Sequence, residues 1–240
     1  MRRYVHADYL AANPHVAETE LVALGIAERT DVVTPAPLAG DAHARHCDVP
    51  TVVMTMLQGR PVWEPKRRRD WLQQMADALI DIHNVTVPAE TLPSIERYAQ
   101  SRYEPPRWAD QPAVWHRAIE IFHGPVPQDD VGFVHRDFHP GNLLWKRGSL
   151  TGVVDWQAAC IGPVSIDVSH CRLNFALYEP ELAEELRLVW EQRAARRFDP
   201  WADVMSIIGF LDNLREQPPN ARARRALEDM LGRAVAELSS

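Results

Sequence analysis

Proline falls in close pairs along this chain, and no other feature limits its folding as much. Its 19 prolines include the pairs Pro35/Pro37, Pro61/Pro65, Pro88/Pro93, Pro105/Pro106, Pro125/Pro127 and Pro218/Pro219. Proline fixes φ and has no N–H, so it ends helices and is kept out of inner strands. Each pair is therefore a joint between short elements. No segment recurs at a fixed period, which sets aside solenoids and propellers.

Periodicity fills in what lies between the joints. Val16, Leu21, Leu24 and Ala27 recur at helical spacing and predict a helix over about 15–27, with Asn13 as its cap. Thr51 to Leu57 is apolar and β-branched, lies between Pro50 and Gly59, and reads as a buried strand leaving into a turn. Trp71, Met75, Leu79 and Ile82 mark one face of a helix from Asp70 to about His83. Two short β-like runs follow, Gly132-Phe133-Val134 and Leu150 to Val154. Beyond Ser165 the pattern is helical, with segments near 165–177, 180–197, 199–216 and 220–238. Strands early and helices late give an α+β fold.

Composition excludes several functions. A formal net charge of −7 argues against a protein that mainly holds nucleic-acid phosphates. The run Lys66-Arg67-Arg68-Arg69 reads as a solvated helix start. No apolar run reaches the roughly 20 residues that span a bilayer, and MRRYVHADYL is not a signal peptide, so a cytoplasmic protein with no membrane partner is expected. Cys47, Cys160 and Cys171 have no CxxC spacing and read as reduced thiols used in packing.

Chemistry concentrates between Phe133 and Asp155. The text Phe-Val-His-Arg-Asp-Phe-His-Pro-Gly-Asn runs from Phe133 to Asn142, and Val153-Val154-Asp155-Trp156 follows. Two carboxylates and a carboxamide thus stand on loops that leave apolar strands. Oxygen ligands of this kind suit magnesium, which takes one or two carboxylates together with substrate phosphates. In phosphoryl transfer one aspartate takes or orients the proton of the attacking hydroxyl, while an asparagine and a second aspartate hold the metal. Asp137, Asn142 and Asp155 fit those roles in order.

This segment closely resembles the aminoglycoside phosphotransferase and choline kinase family, whose members share a protein-kinase-like fold. The HxDxHPGN text with a later V-D-W carries the resemblance, which extends over most of the chain. It implies Asp137 as catalytic base, His135 as the residue shaping its loop, and Asn142 and Asp155 as magnesium ligands. Pro163-Val164-Ser165-Ile166-Asp167 matches a stretch whose aspartate buttresses the loop. By the same resemblance Met54, Met56, Leu57 and Leu144 would border the nucleotide, ATP or GTP. Arg2 would be the phosphate-contacting cation and Glu20 its helix partner. A hydroxylated small molecule would be the acceptor, and a homodimer is left open. The implied layout is a small N-lobe over 1–57 and a mainly helical C-lobe over 58–240.

The resemblance also has a break. The first glycine is Gly25 and no GxGxxG occurs, so the loop that normally covers the nucleotide phosphates is not found in this sequence. A weakly active or inactive kinase-like binding protein is therefore the second reading. A third is a metal-dependent hydrolase using His135, Asp137 and His139, with Asp155 and His170 nearby in type. Glu179, Glu181, Glu184 and Glu185 read either as an acceptor pocket for a cationic amine or as a solvated helix face. Trp108, Trp115 and Trp190 read as core rather than as pocket walls.

Overall fold

The structure, a computed structural model, describes all 240 residues, which form two compact units. The first unit takes Met1–Ile95 and Gly132–Gly162, the second Glu96–Val131 and Pro163–Ser240.

In the first unit, β1 (Arg2–Arg3) and β2 (Pro37–Asp41) flank β3 (Thr51–Met54) in an antiparallel sheet of order β1-β3-β2. Arg2 lies opposite Val52. The helix α2 (Val16–Ala27) packs on β2 and β3 and buries Ala23, Leu24 and Ala27 completely. Asn13 does not cap it; Asn13 ends α1 (Ala7–Ala12), where its amide donates to Tyr9 O. The sequence pattern missed α1 because that helix buries no residue and so has no apolar period to read.

The helix α3 (Arg68–His83) buries Trp71, Met75, Leu79 and Ile82 along its predicted face. Its start is the exposed basic run. Gln74 braces the antiparallel hairpin β5 (Leu143–Lys146) and β6 (Ser149–Val153), donating to Gly148 O at 3.1 Å and accepting from Leu150 N at 2.9 Å. β4 (Val131–Val134) pairs with β7 (Cys160–Pro163). Neither β2 nor β7 was legible in the sequence, since PLAGD and CIGP carry the Pro, Gly and Asp that strands avoid.

The second unit is helical. α4 (Pro112–His123) starts on a proline, which loses nothing at a helix's first turn, and buries Trp115, Ala118, Ile119 and Phe122. α5 (Ser165–Tyr178) packs against α6 (Glu181–Ala194) and α7 (Trp201–Ile208), while α9 (Ala221–Leu238) packs against α4, α5 and α7. The stretch expected as one helix over 199–216 breaks at Gly209 and Phe210 into α7 and α8 (Leu211–Glu216). Trp115 and Trp190 are fully buried; at about 2 kcal/mol for each large apolar side chain removed from water, they help anchor this core.

Candidate active site

Everything at the site is organised around Val154. β4 delivers a buried His135, whose Nδ1 accepts the amide of Asp137 at 3.2 Å, so the ring proton lies on Nε2 and donates to Val154 O at 3.0 Å. On the other side of the same residue, Val154 N donates to Asn142 O at 3.0 Å. One histidine ring and one backbone carbonyl thus tie the 135–142 loop to the residue that precedes Asp155. Phe133 stacks on Trp156 with ring centroids 5.5 Å apart, and His135 leans on the same indole at 4.5 Å. With both ring nitrogens turned to backbone, His135 has no lone pair for a metal, so the hydrolase reading loses that ligand.

Backbone geometry at the two loops is unusual. Arg136 has φ +65° and Asp155 has φ +70°, left-handed values that residues with a Cβ seldom adopt. Such conformations persist where surrounding bonds impose them, and here the His135 and Asn142 contacts do so.

Asp137 and Asn142 meet directly. The Asn142 Nδ2 donates at 2.8 Å both to Asp137 O and to Asp137 Oδ2. The amide nitrogen is thereby committed, and the donor atom Asn142 can offer a cation is Oδ1. His139 stands at the other carboxylate oxygen, with Nε2 3.6 Å from Asp137 Oδ1.

A long-range ion cluster completes the arrangement. Arg2 Nη1 reaches Glu20 Oε1 at 2.6 Å and Asp155 Oδ1 at 2.7 Å. Glu20 is fully buried on α2, and its second oxygen accepts from Tyr4 Oη at 2.6 Å. Burial pushes Glu20 above the usual carboxylate range, against the Tyr4 hydrogen bond and the charge of Arg2. Burial likewise raises Tyr4, helped by its bond to Glu20. Burial opposes the charge on Arg2, but Asp155 and Glu20 outweigh it and hold the guanidinium protonated beyond its ordinary strength. Tyr4 was not singled out from the sequence. The signal was available: in an extended segment, residues two apart share a face, so Arg2 and Tyr4 point the same way.

The structure brings Arg2, Glu20, His135, Asp137, Asn142 and Asp155 into one connected set. Leu144 lies opposite Gly152 in the β5–β6 ladder, and the Leu57 side chain lies over Gly152, so these two leucines flank one glycine. Met54 ends β3. Met56 is 91% exposed. The chain leaves the sheet after Thr55, whose amide bonds Ala36 O, and turns at Gly59 with φ +129°.

Other sequence candidates have different roles. Asp167 is fully buried in the first turn of α5. Glu184 pairs with Arg172 and Arg187, and Glu181 with Arg222, so these acidic residues are engaged in ion pairs on the helical unit. Cys160 and Cys171 fill the interior, and burial pushes the Cys171 thiol up, whereas Cys47 is exposed and packs nothing.

Comparison with known proteins is decisive on family. Residues 2–201 match the phosphotransferase enzyme family, taking in the whole of the cluster just described. The chain belongs to that family. Among curated relatives of this phosphotransferase family member, the N-acetylmuramate/N-acetylglucosamine kinase of Neisseria meningitidis serogroup B is 36% identical over 87 residues, 35% of this chain and 26% of the relative. The homoserine kinase of Rhodospirillum rubrum is 26% identical over 164 residues, 63% of this chain and 50% of the relative. The chain thus spans half or less of the curated relatives it matches. Among solved structures, amicoumacin kinase hAmiN in complex with AMP-PNP, Ca2+ and Ami superposes with a TM-score of 0.63 at 15% identity, covering 95% of this chain and 80% of that one. A thermostable mutant of aminoglycoside phosphotransferase APH(4)-Ia, in ternary complex with ADP and hygromycin B, gives 0.60 at 13% identity, covering 92% and 84%. Such likeness establishes the α+β fold of these kinases for the family member described here.

Proposed function

We propose that this chain transfers the γ-phosphoryl group of ATP to a hydroxyl of a small molecule. The observation that carries the reading is the gathering of Asp137, Asn142 and Asp155 about Val154, with Arg2 bonded to Asp155. Solved neighbours hold ADP or AMP-PNP, which favours an adenine nucleotide over GTP.

Asp137 is the base in this reading. The acceptor oxygen forms its bond to the γ-phosphorus as the bond from that phosphorus to the β-γ bridging oxygen breaks. The hydroxyl proton passes to Asp137, and ADP leaves. Asn142 holds the carboxylate of Asp137 through Oδ2, which presents Oδ1 to the acceptor. His135 keeps the loop in register by its two backbone bonds. Arg2, fixed by Glu20, supplies the cation for nucleotide phosphate. Leu57 and Leu144 supply apolar contact for the base, and the backbone of Met54 to Leu57 meets its edge. Residues 1–57 then serve as the nucleotide-holding part and 58–240 as the part carrying base, metal ligands and acceptor.

The donor set also fits a divalent cation. Asn142 Oδ1 and the Asp155 carboxylate are hard oxygen donors, the type magnesium selects, and no thiolate or imidazole nitrogen competes among these ligands. Magnesium bound there would neutralise charge on the phosphates. The acceptor class is suggested by the relatives, whose names give an amino sugar and homoserine as substrates.

A screen of ADP release with ATP, magnesium and hydroxylated amino sugars and amino alcohols tests the proposal. Transfer to at least one acceptor is expected, and Asp137→Asn should lower kcat by about 1,000-fold or more with the unfolding midpoint unchanged. Nucleotide binding without transfer to any acceptor would leave a binding protein instead, and full activity of Asp137→Asn would refute the assigned base.

A further inference from the structure

Gly141 has a requirement that the sequence motif does not explain. A Cβ built there would lie 2.6 Å from Cε1 of His139, closer than real Cβ contacts come, and 3.0 Å from its Nδ1, tighter than most. The missing side chain therefore makes room for one imidazole. That ring is held on several sides. Its Nδ1 accepts the Gly141 amide at 3.1 Å, and the Trp63 ring lies 6.0 Å from it at a 35° tilt. His139 itself adopts extended backbone at the start of the short turn Pro140–Asn142, and its carbonyl accepts the Asn142 amide at 2.9 Å.

The hydrogen bond at Nδ1 decides the tautomer. Because Nδ1 must present a lone pair to Gly141 N–H, the ring proton belongs on Nε2. Nε2 is the atom 3.6 Å from Asp137 Oδ1. That separation is too long for a formed hydrogen bond, as is common for catalytic contacts without substrate. Asp137 is consequently addressed from both sides, by the Asn142 amide at Oδ2 and by the His139 N–H toward Oδ1.

We infer that His139 is a positioning residue, which turns the Asp137 carboxylate toward the acceptor hydroxyl, and that Gly141 is glycine so that His139 can occupy this place. The inference rests on the reading of Asp137 as the base. It separates two atoms of one ring: Nδ1 shapes the loop, and Nε2 acts on the base. A residue with a purely structural role would need only the first.

Two conservative variants divide those roles. In His139→Asn the amide oxygen can still accept from Gly141 N–H, but nothing reaches Asp137. In His139→Gln the longer side chain brings an N–H toward the place that Nε2 occupied. With ATP, magnesium and an acceptor found in the screen above, His139→Ala should lower kcat by about 10- to 100-fold while the KM for ATP stays within about twofold. His139→Gln should restore most of that loss and His139→Asn little of it. Gly141→Ala, which adds one methyl and removes no polar atom, should mimic His139→Ala. The inference is overturned if His139→Ala keeps wild-type kcat, or if Asn rescues better than Gln. Loss of folding in His139→Ala would be seen in its unfolding midpoint, and the Gln and Asn variants then decide alone. Asp137→Asn separates the two levels. If it abolishes transfer while His139→Ala is fully active, only this inference fails; if Asp137→Asn is itself active, the base assignment fails first.

Discussion

Arg172 and Arg2 are each shared by two carboxylates, and they do opposite things. Arg172, in the helical unit, is almost fully buried and uses the whole guanidinium. Its Nε and Nη2 go to Asp203 at 3.2 and 2.9 Å, and its Nη1 goes to Ala183 O at 3.0 Å and Glu184 Oε2 at 3.2 Å. Ser169 Oγ adds a bond to Asp203, and Phe198 covers the guanidinium face. Arg2, in the first unit, makes both its carboxylate bonds from Nη1 and keeps 31% of its side chain exposed. A guanidinium saturated by its own protein ties α5, α6 and α7 together. One that keeps part of its side chain exposed is, in the proposed function, the group that receives a phosphate. Burial and donor count, more than the presence of an ion pair, distinguish the sealed arginine from the one to which the proposed function gives the phosphate.

The same substitution made at both positions breaks this comparison most sharply. Arg172→Met leaves the Asp203 carboxylate buried without its main partner, and burial already pushes that group up. Stability should fall by about 3–5 kcal/mol, measured by urea unfolding, with KM for ATP unchanged in the molecules that remain folded. Arg2→Met should show the inverse balance. The KM for ATP should rise by about tenfold or more, equivalent to about 1.4 kcal/mol, while stability falls by less than about 2 kcal/mol, because Asp155 is partly open to water and the buried Glu20 keeps its hydrogen bond from Tyr4. Equal stability losses at the two positions would erase the distinction.

A smaller effect sharpens it. Glu184 lies between Arg172 and Arg187, and hydrogen bonds from Arg187 and then Arg172 bring its carboxyl to about 2, below its ordinary 4.5. A depressed carboxyl stabilises the fold above its unfolded value and loses that contribution as pH falls. Its share is thus fully present above about pH 4.5 and disappears toward pH 2. Glu184→Gln should cost about 1 kcal/mol at neutral pH, the screened value for a pair this exposed, and should flatten the acid limb of the stability profile between those limits. An acid limb identical to the parent's would show that the pair contributes nothing in solution.

Much of the site was legible because its residues are close in sequence. Asp137 and Asn142 are five residues apart on one loop, and Asp155 follows a short hairpin whose apolar strands are visible in the text. Apart from the Arg2–Glu20 pair, which the family resemblance supplied, what went unread depends on a distant partner. Tyr4 carried no motif, Arg172 and Asp203 lie 31 residues apart on separate helices, and nothing in the sequence showed that the His139 ring lies against Gly141 with Nε2 facing Asp137. The helix α1 was missed because it buries no face and so shows no apolar period, and the strands β2 and β7 because the Pro, Gly and Asp they carry disfavour strands.

The sequence by itself determined the local chemistry: which oxygens stand on which loop, where apolar runs become strands, and where prolines force joints. Only the tertiary structure decided that Arg2 meets Asp155 across 153 positions, and that one of two comparable arginines is sealed while the other stays open. The physical reason is that a local pattern limits each residue's own backbone, whereas an ion pair's role depends on the water excluded around it. That exclusion exists only once distant segments have packed together.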